Sequence, residues 1–89
     1  MSTHTSHVAI IKRLKRANGH LASIVAMLEE ERACVEIAQQ LQAVESAIKS
    51  AKKTLIHDHI GHCLEHAARG ESGSVPSLAE EFEAIAKYL

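Results

Sequence analysis

Eighty-nine residues with a net charge of −1, 46% hydrophobic side chains, one Phe, one Tyr and no Trp describe one small domain with an aliphatic core. A lone core of this size is marginal without a metal, a crosslink or self-association, and Ala, Leu, Ile and Val in place of aromatics suit packed helices. With no apolar run of about 18 residues and a polar N-terminus, nothing directs the chain into a membrane; the cytoplasm is expected, where the two cysteines stay reduced.

Residues 1–7, MSTHTSH, read as a flexible arm bearing His4 and His7, and residues 8–89 as a single all-α domain. From there Ile10 or Ile11, Leu14, Ala17, Leu21, Ile24 or Val25, and Leu28 recur at three- and four-residue steps, which predicts an amphipathic helix over about 7–30. Gly19 falls inside it, and since glycine costs on the order of 1 kcal/mol against alanine there, close helix packing is the expected reason. The stretch from Glu29 to Arg32 reads as a polar turn.

A second helix is predicted over about 33–69, with Cys34, Leu41, Val44, Ile48, Ala51, Leu55 and His59 in near-heptad register. Residues 70–76, GESGSVP, form a loop, and Ser77 with Glu80 makes a capping box that opens a short third helix to Leu89. Leu78, Phe82, Ile85 and Leu89 are its expected buried edge.

Cys34, His59 and Cys63 carry the most chemistry, because two thiolates and an imidazole hold a soft ion well. His59 and Cys63 stand at i and i+4 on one helix face. Cys34 lies 25 residues before His59, roughly 37 Å along a continuous helix, so one chain cannot close the site. Two antiparallel copies related by a two-fold axis near residues 47–49 bring Cys34 of one to His59 and Cys63 of the other, twice per dimer. Each cysteine alone is as readily a small buried hydrophobe; the shared phase with H-x-x-x-C is what favours ligation. Cu(I) or Zn(II) suits the sulfurs, and Ni(II) or Co(II) fits if His4 and His7 add nitrogen donors.

His57, His62 and His66 cluster near Cys63, and His62 with His66 forms an i,i+4 pair whose ordinary place is a solvated face. Lys12, Arg13, Lys15 and Arg16 give an acid-free first 28 residues a local +4, and Lys49, Lys52 and Lys53 follow on the second helix. Such clusters are often only a solvated surface, yet together they suit duplex phosphates. No helix-turn-helix, zinc-finger or basic-zipper pattern accompanies them, so backbone and groove shape would dominate recognition. No paired acid and base or activated nucleophile stands apart from the metal-type cluster, which excludes an enzyme reading and a small-molecule substrate.

The segment RLKRANGHLASIVAMLEEERACVEIAQQLQAVESAI followed by DHIGHC resembles the CsoR/RcnR family of bacterial metal-sensing repressors over roughly residues 8–69. The resemblance implies three-helix subunits in an antiparallel dimer, usually a dimer of dimers, that binds operator DNA when metal-free and releases it when metal binds between subunits. By position it assigns Cys34, His59 and Cys63 to the copper-type ligand set, and Lys12, Arg13, Arg16, Lys49 and Lys53 are the expected DNA contacts. The nickel and cobalt branch draws a further nitrogen donor from a position near Ser2, with which neither His4 nor His7 coincides. Ala33 stands where the copper branch often has tyrosine. The expected function is a metal-responsive repressor, with Cu(I) ahead of Ni(II) or Co(II). Its rivals are a metal-buffering protein without an operator and a thiol-based electrophile or formaldehyde sensor of the same fold.

Overall fold

The computed structural model describes residues 6–68, Gly70 and 78–89, apart from the side chains of Ala67 and Leu78. Three helices follow in order, α1 (Ser6–Glu29), α2 (Cys34–Ala68) and α3 (Leu78–Ala86), and the described residues contain no strand. No helix is long and apolar enough to cross a membrane. His4, the Ser77 capping box and most of the loop before it lie outside the described residues. Ser6 and His7, assigned to the arm from sequence, belong instead to the first turn of α1.

The α1–α2 turn closes by backbone hydrogen bonds to carbonyls in the last turn of α1. Arg32 N–H donates to the Met27 carbonyl at 3.0 Å and Glu31 N–H to the Leu28 carbonyl at 3.1 Å, a paired 6→1 and 5→2 pattern. Glu31 takes the left-handed position of this motif at φ 57°, where glycine is usual. The chain then restarts as α2, whose entry carries an Arg32–Glu36 ion pair at 2.9 Å.

α1 and α3 each pack on α2 and not on each other. The packing follows heptad lines. Ile10, Ala17 and Ile24 on α1 and Ile37, Val44 and Ala51 on α2 are buried, with Ile24, Ile37 and Val44 in one cluster that Met27 covers. Farther along α2, Ile56 and Cys63 are buried as well. His20 and Gln40 hydrogen-bond across the α1–α2 seam.

The single apolar stripe expected on each long helix is in fact two. Ile11, Leu14, Leu21, Val25 and Leu28 remain exposed on α1, as do Leu41, Ile48 and Leu55 on α2. A helix with apolar residues over a broad arc can serve two neighbours, and among the described residues only one of the two stripes is packed. On α3 the expected edge is corrected too: Ile85 is half-buried, but Phe82 is 41% and Leu89 68% exposed. Gly19 is also exposed, α1 passes through it unbroken, and a Cβ there would meet no atom within 4 Å, so packing inside the protomer does not explain it.

Candidate metal centre

α2 is unbroken for 35 residues, which at 1.5 Å per residue is about 52 Å; the long axis of the protomer is 57 Å. Cys34 is its first residue and is exposed; Cys63, eight helical turns on, is buried. No bend brings them together. His59 and Cys63, one turn apart, do converge, and α3 supplies a third group: ligand atoms of His59, Cys63 and Glu81 all lie within 4.8 Å of one another. His59 Nε2 is 3.8 Å from Glu81 Oε1, an ion pair whenever the imidazole is protonated. Burial pushes the Cys63 thiol above its ordinary pKa, and the Glu81 carboxylate adds to the rise.

This chemistry fits a cation. Buried sulfur and a half-buried imidazole are good donors for a borderline or soft ion, and a positive charge between them would lower the thiol pKa that burial and Glu81 raise. Within one protomer the set is nevertheless short of sulfur, because the second thiol faces solvent at the far end of α2.

The basic residues sit on the α1–α2 side. Arg13 Nη1 donates to Thr54 Oγ1 at 3.3 Å, tying the start of α1 to the middle of α2. Arg13 and Arg16 line one groove with His20 and Ser50, and Ser50 also lines the adjoining groove with Lys49 and Lys53. Arg13, Arg16, Lys49 and Lys53 thus form a continuous surface, while Lys12 is exposed on α1 outside both grooves. Lys49, Lys52 and Lys53 also border a cleft with Ile56, Tyr88 and Leu89.

Residues 6–88 match the profile of a family described as metal-sensitive transcriptional repressors. The chain belongs to that family. It is 39% identical over 79 residues to the copper-sensing transcriptional repressor RicR of Mycobacterium tuberculosis, covering 88% of this chain and 82% of that one. It is 41% identical over 77 residues to the copper-sensing repressor CsoR of Mycobacterium ulcerans, covering 86% of this chain but 65% of the relative. Among solved structures, the nickel-responsive transcriptional regulator InrS superposes with a TM-score of 0.82 at 25% identity, over 99% of this chain and 97% of that one. Members of this family are transcriptional repressors and not enzymes.

Of the three converging groups, His59 and Cys63 are evident from the sequence and Glu81 is not. A signal was present: Glu81 stands four residues before Ile85, so an acid occupies the edge of α3 that turns toward α2. His7 lies in α1 and His57 is exposed on α2, and neither joins His59, Cys63 and Glu81.

Proposed function

We propose that this chain is a Cu(I)-responsive transcriptional repressor that binds operator DNA when metal-free and releases it when metal is bound between subunits. One observation carries the reading. His59 and Cys63 converge at one end of an unbroken α2 while Cys34 stands exposed at the other, on a heptad line with Leu41, Ile48 and Leu55, which stay 46%, 47% and 38% exposed. An antiparallel second copy seated on that line would bury the three aliphatics and carry its own Cys34 to His59 and Cys63.

Cys34, His59 and Cys63 are the ligands in this reading, and the second sulfur is why Cu(I) is preferred to Ni(II) or Co(II). The copper-sensing names of the relatives support the same choice. Bound there, the ion would tie α2 of one subunit to α2 of its neighbour. Arg13, Arg16, Lys49 and Lys53, with Lys12 beside them, hold duplex phosphates on a surface made by two packed helices, so its shape depends on how subunits are arranged. Metal and DNA then favour different arrangements, and each weakens the other's binding by the same factor. The working assembly is a homodimer or homotetramer, acting in the cytoplasm where the operator is.

Selection from a random duplex library with the reduced, metal-free protein tests this. One operator should be enriched and then released by stoichiometric Cu(I). Failure to enrich any duplex would favour a metal-buffering role, and release by formaldehyde with no response to metal would favour the thiol sensor.

A further inference from the structure

We propose that His62 and His66 form a second metal site, built of imidazole alone, for a borderline divalent ion such as Zn(II), Ni(II) or Cu(II). The two residues stand at i and i+4 on α2, where side chains share one face. Their ring centroids are 5.1 Å apart and the planes are tilted by 48°, so the rings converge without stacking. Both are half-buried, which already limits their rotamers. A divalent ion bound at about 2.0–2.1 Å needs its two nitrogens roughly 3 Å apart, a separation reached by turning the rings about the soft terminal torsion.

Two further features favour a cation here. Asp58 lies one turn before His62 on the same face, placing a carboxylate charge beside the pair. Water can complete the coordination of a zinc- or nickel-like ion.

The pair is separate from the thiolate centre. His66 stands three residues after Cys63 and seven after His59, on the same side of α2, but neither His62 nor His66 is among the three groups whose ligand atoms converge at Cys63. The absence of sulfur makes the pair a poor Cu(I) site and an adequate divalent one. Each chain therefore has two classes of site, and zinc or nickel can load the outer pair without occupying Cys63. The inference does not depend on the repressor reading, since it uses only the geometry of α2.

Zinc titration of the full chain carrying Cys34→Ser and Cys63→Ser isolates the pair. We expect one Zn(II) per chain by calorimetry, with the ring resonances of His62 and His66 shifted in histidine-selective NMR. His62→Gln with His66→Gln should abolish that zinc and leave Cu(I) affinity unchanged in the chain with both cysteines. Ring resonances that do not move with zinc would overturn the proposal. So would zinc that persists in the double variant, or a matching loss of Cu(I) affinity, which would merge the two sites into one. The NMR readout uses both native histidines and stands whether or not the variant folds.

Discussion

Separate removal of the two thiols, followed by mixing, tests the shared site most directly. Cys34→Ala and Cys63→Ala should each abolish tight Cu(I) binding, because each leaves one sulfur per site. In a mixture that has exchanged subunits at random, about half of the dimers are mixed. In a mixed dimer the Cys63→Ala chain still supplies Cys34 and the Cys34→Ala chain still supplies His59 and Cys63. One site is whole and the other lacks both sulfurs. Recovery is therefore about one quarter of the wild-type capacity per chain, by the same counting. Ligation within one chain predicts none, and the rigid separation along α2, roughly 37 Å between Cys34 and His59, leaves no middle course. Capacity can be read by competition with a chromophoric Cu(I) chelator, with exchange confirmed by native mass spectrometry of differently tagged chains. Confirmed mixed dimers that bind no copper would refute the intersubunit geometry.

If the basic surface holds operator phosphates as proposed, binding should fall with salt, and each of Arg13, Arg16, Lys49 and Lys53 replaced by Gln should lessen the slope of log affinity against log salt by about 1; an unchanged slope, measured by fluorescence anisotropy, removes that residue from the interface. Gly19→Ala should stabilise the protein by about 1 kcal/mol, since the helix continues through it and the added methyl meets nothing; a loss in denaturant melts would show another subunit packed against that face. The folded chain holds the Cys63 proton above its ordinary pKa, so this residue contributes stability that is full below roughly pH 8.5 and declines as pH rises through the raised value. Cys63→Ala should flatten that alkaline decline in melts of the metal-free protein, and an identical decline in the variant would assign it to other groups.

The long helices were readable because period and length are both written in the sequence: α1 and α2 fall within a residue or two of the ranges their apolar spacing predicts. What spacing could not do was assign each apolar residue to a partner. Ile24 and Leu28 are one turn apart and equally apolar, yet the first is 2% and the second 57% exposed. The difference comes from which side of α1 meets α2, a tertiary fact that periodicity does not contain. The centre was legible for the same reason in part only. His59 and Cys63 share a helix, so their meeting follows from the i,i+4 rule. Glu81 reaches them from α3 across the intervening loop, and a carboxylate on a surface helix is usually solvated, so only packing could single it out.

The two deficits of the protomer coincide in space. Cys34, Leu41, Ile48 and Leu55 succeed one another at seven-residue steps along α2, so the line with unburied aliphatics is also the line with the unmatched sulfur. Had Cys34 lain on the Ile37–Val44–Ala51 line instead, it would be packed under α1 and could reach no other chain. With the thiol on the outward line, the proposed dimer would link two equilibria. Burial of what remains exposed of Leu41, Ile48 and Leu55, 46%, 47% and 38% of each, would supply association energy, no more than half of the roughly 1.5–3 kcal/mol for fully burying such a side chain, and the same contact would complete the ligand set. A free protomer of this design keeps only His59, Cys63 and Glu81 and lacks the second sulfur that favours Cu(I). On the proposed reading, sensing would be a property of the assembled pair, and any substitution that weakens this apolar line should weaken copper binding with it even though no ligand has changed.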